Sequence, residues 1–266
     1  MYRVSVAIMA LFCASISTPL IAQTTDATAQ ISQAAPVAHD LVQPDQAAPV
    51  AQDLVESQKK PGMISGFALD FLNDQKAIWT SPFHLNAGDA KWLVPVVAAG
   101  GTLAVFDHRI SDAAKADPSL RGPSNAISGV GLIAPWAVPG ALFLFGATRH
   151  DSHAAEAGRL GLEAAVDSEV LMQVVKLASH RMRPNGEDNM SFPSGHSMEA
   201  FALAAVMSRE YHDKKLVVFG SYGLATAVSL ARVGGLNHFP TDVLAGAVMG
   251  ELLGRYIVHH HGQLAD

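Results

Sequence analysis

Cysteine is almost missing from this 266-residue chain: Cys13 stands alone, so no internal disulfide can form and no thiolate metal site can be built. Charge is scarce too, at 16% of residues against a usual share of about 25%. What charge there is leans negative, −6 in formal net terms, which excludes a basic nucleic-acid-binding surface. Alternating runs of Val, Ile and Thr are also lacking, which argues against sheets. What is abundant is apolar: 49% of residues are hydrophobic and the mean hydropathy is +0.21. That content excludes a wholly disordered chain and allows one sizeable domain with extensions.

The N-terminus has the order of a secretory signal. Arg3 is the single charge before Asp26, Val4 to Ala14 is almost uniformly apolar, and Ser15 to Ala22 turns small and polar around Pro19. Residues 1–22 therefore read either as a signal peptide cut near Ala22 or as an uncleaved anchor. Phe12 before Cys13 does not make a lipoprotein box. Residues 23–62 are rich in Ala, Pro, Gln and Asp, and Ala34 to Val42 recurs with one change as Ala47 to Val55. Two copies do not make a solenoid, and so few bulky residues cannot offset the entropy of ordering, so the segment reads as a flexible tether.

From residue 63 to 258 the periodicity is helical. Ile64 to Trp79 suggests an amphipathic or interfacial helix, and Trp92 to Phe106 is an uncharged run. Asp107 to Ser124, with Pro118, Gly122 and Pro123, reads as a polar loop. Ala126 to Thr148 is the longest uncharged run, interrupted by Pro135 and Pro139. Leu160 to Ala178, Ser197 to Met207, Leu216 to Ala231 and Thr241 to Val258 follow as helices, and Arg181 to Ser194 as a polar loop. The pattern predicts an all-α fold, a bundle of about six core helices, with 259–266 as a polar tail. A membrane span needs about 20 apolar residues, and only Ala126 to Thr148 reaches that cleanly. Both an integral membrane protein and a soluble periplasmic one fit. If the tether is exported and the 176–196 loop faces the periplasm, one of the three helices before Lys176 must not cross. Leu160 to Ala178, carrying Glu163, Asp167 and Glu169, is the one predicted to stay out.

Three clusters in the last third carry chemistry. They are Lys176-x6-Arg183-Pro184, then Pro193-Ser194-Gly195-His196, then Arg232-x5-His238-x3-Asp242. Each is ordinary alone. Together, two guanidinium groups and an ammonium can clamp a tetrahedral oxyanion. Ser194 offers a hydroxyl, and Gly195 opens a close approach to backbone N–H groups at the start of a helix. His196 and His238 can act as acid and nucleophile, and Asp242, one helical turn beyond His238, can accept a hydrogen bond from its ring.

These motifs resemble those of the type 2 phosphatidic acid phosphatase (PAP2) superfamily, which includes class A acid phosphatases and vanadium haloperoxidases. Their order and internal spacings are kept, and Ala231 stands where that superfamily has Ser. The resemblance implies a PAP2-like helical bundle and a phosphatase that uses no metal and no other cofactor. By the same resemblance, His238 attacks phosphorus, Asp242 orients it, and His196 protonates the leaving oxygen and then activates water. Lys176, Arg183, Ser194, Gly195 and Arg232 would hold the phosphoryl oxygens. The implied partners are a phosphate ester, with lipid phosphates and isoprenoid diphosphate in range, and a membrane, but not nucleic acid. The implied location is the cell envelope with the site facing the periplasm. The alternatives are a vanadium-dependent haloperoxidase and a non-catalytic member that binds lipid or a partner. Substrate identity and oligomeric state are not legible. Among the remaining residues, Arg181 reads as a solvated cation and the His259–His261 run as part of the tail.

Overall fold

The computed structural model describes residues 63–84 and 86–262; the leader and tether expected over 1–62 lie outside the described residues. Seven long helices and two short 3-10 turns make up the described chain, and no strand occurs among the described residues. The helices are α1 (Met63–Thr80), α2 (Ala90–Ala116), α3 (Arg121–Arg149), α4 (Ser152–Ser179), α5 (Gly195–Glu210), α6 (Lys215–Gly234) and α7 (Pro240–His261). The expected all-α bundle is the observed one, with α1 added to six core helices.

Several helices run further than their hydropathy suggests. The expected 107–124 loop is helical for most of its length: α2 continues to Ala116, and Pro118–Leu120 forms a 3-10 turn leading into α3. Polarity misleads here because Asp107 and Ser111 are buried polar residues of a helix. Pro135 and Pro139 do not break α3, and both are buried. An interior proline costs about 3 kcal/mol in an isolated helix; here packing against α4 offsets it, with the Pro139 carbonyl lying where a side chain on Gly158 would stand. The expected tail begins later as well, since His259 to His261 complete the last turn of α7.

Small residues set the packing. Gly146, Gly158 and Gly161 let α3 and α4 approach antiparallel, 146 opposite 155 and 139 opposite 158 and 161. Gly246, Gly250 and Gly254 recur one turn apart on α7 and press against the backbone of α5 at Ser194, Met198 and Ala202, so these two helices run parallel. The tightest positions admit no Cβ without backbone movement. α5 is buried on nearly every side and forms the centre. The main core joins Leu160, Leu171, Val175, Met198, Met249 and Leu253 from α4, α5 and α7.

One end of the bundle therefore collects the end of α4 and the starts of α5 and α7. The start of α3 and the end of α6 join them, because Gly234 meets Leu120 and Ser124. Asp107, late in α2, reaches Thr241 there. Three helical stretches are long and apolar enough to cross a membrane: Ala90–Ala116, Pro118–Arg149 and Lys215–Gly234. They turn large apolar side chains outward, among them Val105, Ile133, Leu144, Phe219 and Leu230. α4 is not among the three, and it lies against α3 through the close glycine contacts.

Candidate active site

All three motifs converge at this end. Lys176 is in the last turn of α4, where His180 closes the helix in the left-handed conformation (φ 46°) and turns the chain into the 180–194 loop. That loop is tied to itself by Ser191 N–H donating to the Arg181 carbonyl (2.9 Å) and Arg183 N–H to the Asp188 carbonyl (2.9 Å). It is tied to α7 by Ser194 N–H donating to the Asp242 carbonyl (3.0 Å). Gly195 begins α5, and a Cβ there would collide with the Met172 sulfur. Ser194 and His196 are thus delivered at the start of a buried helix, where free N–H groups favour an anion.

The third motif closes on itself. After α6 ends, the N–H groups of Asn237 and His238 both donate to the Arg232 carbonyl (3.0 and 3.2 Å). The five intervening residues form a tight return that brings imidazole and guanidinium into one cluster. Arg183 Nη1 donates to the Asn237 carbonyl (3.4 Å) and its Nε to Asp188 (2.6 Å), which joins the first motif to the third.

The electrostatics are those of a buried cationic cradle. Burial lowers the pKa of His238 well below the ordinary imidazole value, and Arg232, Arg183 and Lys176 lower it further. His196 is pushed down to about 4, by burial first and then by Arg232, Lys176 and Arg183. The same three cations act on both rings. The Nε of Arg232 is buried with no hydrogen-bond partner among the described residues. An orphaned guanidinium donor of this kind costs on the order of 1–3 kcal/mol unless an acceptor arrives.

Asp242 takes a different place from the one expected. Its Oδ2 lies 3.9 Å from His238 Nδ1, too far for a hydrogen bond. His238 Nδ1 instead donates to the Ser191 carbonyl at 2.6 Å, which leaves Nε2 unprotonated and free. Asp242 acts one step back: its Oδ2 accepts from the Ser191 hydroxyl (2.5 Å) and from Phe239 N–H (2.8 Å). Its Oδ1 accepts from Arg181 Nη1 (2.5 Å). Arg181 is not the solvated cation expected. It also donates to Thr241 Oγ1 (2.8 Å) and to Asp107 Oδ2 (2.6 Å), and its guanidinium lies 4.3 Å over the Phe239 ring. Asp107, 1% exposed, further accepts from Thr241 N–H (3.0 Å) and from the Thr241 hydroxyl. Arg181, Asp107, Thr241 and Ser191 are therefore the supporting residues that spacing alone missed. Arg181, between Lys176 and Arg183, was visible as charge, but Asp107 lies 69 positions from Lys176 and carries no local signal.

An all-helical bundle with a cationic oxyanion cradle at one end defines the class. Residues 160–265, which hold all three motifs, match the family model described as the PAP2 superfamily. It is 35% identical over 80 residues to a lipid A 1-phosphatase of Porphyromonas gingivalis, a match covering 30% of this chain and 18% of that relative. The chain thus matches less than a fifth of the length of that curated relative. It is also similar to the crystal structure described as the first transmembrane PAP2 type phosphatidylglycerolphosphate phosphatase from Bacillus subtilis. There the identity is 27%, the TM-score 0.48, and the match covers 73% of this chain and 93% of that one.

Proposed function

We propose that the chain hydrolyses phosphate monoesters, with lipid phosphates as the substrate class, through a phosphohistidine on His238. The observation that carries this reading is buried His238, its Nδ1 pinned and its Nε2 left free, in the field of Arg232, whose Nε is buried without a partner among the described residues. A nucleophile with its other nitrogen pinned and an anion donor with nothing to bind call for a phosphoryl group between them. His238 Nε2 attacks phosphorus and the ester oxygen leaves with a proton from His196. Water, deprotonated by His196, then displaces the phosphoryl group from nitrogen and releases phosphate. Lys176, Arg183, Arg232 and the Ser194–Gly195 turn hold the equatorial oxygens, and no step uses a metal. A cleft of about 350 Å³ beside the cradle, lined by His108, Lys115, Arg181, Arg183 and Phe239 among others, offers room for the alcohol part. Outward apolar faces on α2, α3 and α6 favour a substrate presented from lipid, as does similarity to a protein named for lipid A.

The test is a substrate panel on purified protein: para-nitrophenyl phosphate, phosphatidate and an isoprenoid diphosphate. Phosphate release that disappears in His238→Ala, strongest with a lipid ester, is expected. Halide oxidation dependent on vanadate, with no phosphate release, would make the protein a haloperoxidase instead.

The same reading places the protein in the cell envelope, the bundle crossing the membrane and the cradle in the periplasm. In a spanning bundle the cradle and the 211–214 turn lie on opposite faces. α1 meets the bundle at the far end too, where Asp74 bonds His261. Export of the segment leading into α1 and a periplasmic cradle are therefore mutually exclusive for a spanning bundle. Leaving α4 out does not relieve this, because α1 and the cradle still meet opposite ends of α7. Cysteines placed at Asn189 and Asp213 test it: an impermeant thiol reagent should label Asn189→Cys alone in cells with a permeabilised outer membrane. Labelling of both from that side would show a bundle that does not cross.

A further inference from the structure

Far from the cradle, two helices each bring a pair of acids one turn apart, Asp70 and Asp74 on α1 and Glu163 and Asp167 on α4, to the last residue of α7, His261. Along the helices this lies about 20–28 Å from Lys176 and Asp242, at 1.5 Å per residue. Four carboxyl groups face two cationic side chains, Arg159 and His261, and Asp74, Glu163 and Asp167 are at most 1% exposed. Arg159 donates to Glu163 Oε2 (3.1 Å) and to the His261 carbonyl (2.7 Å). His261 Nε2 donates to Asp74 Oδ1 (2.8 Å). That bond fixes the ring with Nδ1 as its basic nitrogen, and Nδ1 faces Asp70 Oδ1 at 3.9 Å. Asp70, Glu163 and His261 each present one donor atom within 4.8 Å of the others.

The second observation is Glu163 Oε1, which is buried and has no hydrogen-bond partner among the described residues. Asp74 and Asp167 face one another and can share a proton. Glu163 Oε1 has no such neighbour, and Arg159 already occupies its other oxygen. An unmatched buried carboxylate oxygen beside a histidine whose far nitrogen is held by a carboxylate is the arrangement that orients an imidazole toward a metal. Two ligands about 2.1 Å from one ion at a tetrahedral or wider angle stand roughly 3.4–3.9 Å apart, the separation seen between Asp70 and His261.

We propose that Asp70, Glu163 and His261 bind one divalent transition ion of the Zn²⁺ class, with Asp74 holding the His261 ring. Imidazole with two carboxylates suits that class, and three protein ligands leave positions for water. Asp70, partly exposed, provides the way in. The ion clips α1 to α4 and α7. Among the described side chains of α1, Ile78 is the only apolar one that is buried, so the polar end contacts fasten much of this helix.

The experiment titrates Zn²⁺ alone into chelator-treated full-length protein, with heat and unfolding temperature as readouts. One ion per chain with micromolar or tighter Kd, raising the unfolding temperature, is expected. Asp70→Asn should weaken binding tenfold or more, and Glu163→Gln likewise. The double variant His259→Gln/His260→Gln should bind as the parent does. Retained affinity in Asp70→Asn together with lost affinity in the double variant would make the site a histidine run and overturn the proposal. A parent Kd weaker than millimolar would overturn it too. Asp70 is the partly exposed ligand, so its variant keeps the test decisive if Glu163→Gln fails to fold. Phosphate release is scored separately, and its failure would not touch the binding result.

Discussion

Asp242→Asn separates a positioning carboxylate from a direct partner of the nucleophile. Both oxygens of Asp242 face donors only: Arg181 on one side, Ser191 and Phe239 on the other. An asparagine must turn its NH2 group toward one of these sides, so a donor then faces a donor in a place fully closed to water. An unsatisfied buried donor costs about 1–3 kcal/mol. Removing one partner of a buried ion pair costs about 3–5 kcal/mol, reduced here because Arg181 keeps Asp107. A loss near 3 kcal/mol corresponds to roughly 6–12 °C in unfolding temperature for a domain of this size. Activity should fall with it, because the Ser191 carbonyl that pins His238 Nδ1 belongs to the loop that Asp242 holds. Thermal unfolding and the pH dependence of kcat/KM are measured together. A slower, less stable enzyme with an unmoved acidic limb is expected, since His238 Nδ1 donates to a neutral carbonyl. A protein of unchanged stability whose acidic limb shifts by a unit or more would refute this reasoning and return Asp242 to the side of the ring.

Phosphatase activity should survive EDTA and be inhibited by vanadate; activity lost in EDTA and restored by a divalent ion would contradict a metal-free cradle. His196→Ala should slow transfer from an alkyl or lipid phosphate far more than from para-nitrophenyl phosphate, because general acid catalysis is worth about 10²–10⁴-fold and an activated leaving group does not need it; equal losses in single-turnover transfer would take the acid role away from His196. Burial first, and then three cations, hold His196 near 4; an entering anion offsets the cations, so phosphate binding at pH 5.5 should take up a proton, read by calorimetry in buffers of different ionisation enthalpy and absent in His196→Gln. Without ligand the folded-state value lies below the unfolded 6.5, so the unfolded chain binds more protons between the two. The His196 contribution to stability should then be complete above pH 6.5 and decline as pH falls toward 4, and a flat acid-stability curve restored to a slope by His196→Gln would reverse the sign.

The helices were legible wherever apolar residues keep a period of 3.6, and their ends were not. Leu160 to Ala178 begins at Ser152, because an N-cap made by Asp151 accepting from Ala154 N–H (3.0 Å) lies ahead of the apolar pattern. The α2 boundary was hidden for the opposite reason. Asp107 and Ser111 look like loop polarity, but both are buried, and Asp107 bonds Thr241, more than a hundred positions away. Prolines were read as breaks, although tertiary packing sets their outcome: both are buried, and Pro139 lies against Gly158 and Gly161 of α4. The rule that one helix before Lys176 must stay out was sound as arithmetic. Its choice of α4 agrees with α4 falling outside the three stretches long and apolar enough to cross, although Gly146, Gly158 and Gly161 also hold α4 closely against α3.

The site shows the same division between what spacing can carry and what it cannot. Lys176, Arg183, Arg232 and both histidines were identifiable because, under the proposed function, each reaches one anion, and a common ligand imposes fixed intervals on short loops. The i, i+4 relation of His238 and Asp242 gave them one face of a helix and no more. His238 precedes Pro240, the first residue of α7, so it stands on the return from α6 while Asp242 stands on the helix. Their separation is thus set by the turn at Phe239, whose N–H takes Asp242 Oδ2 in a helix-capping bond. A carboxylate committed to capping its own helix, to Ser191 and to Arg181 has no oxygen left at hydrogen-bond distance from the imidazole. The ring is pinned instead by a backbone carbonyl, which any residue at position 191 would supply. The residue type that the motif does carry, aspartate, is required because only an anion accepting on both oxygens can hold Ser191, Phe239 and Arg181 at once.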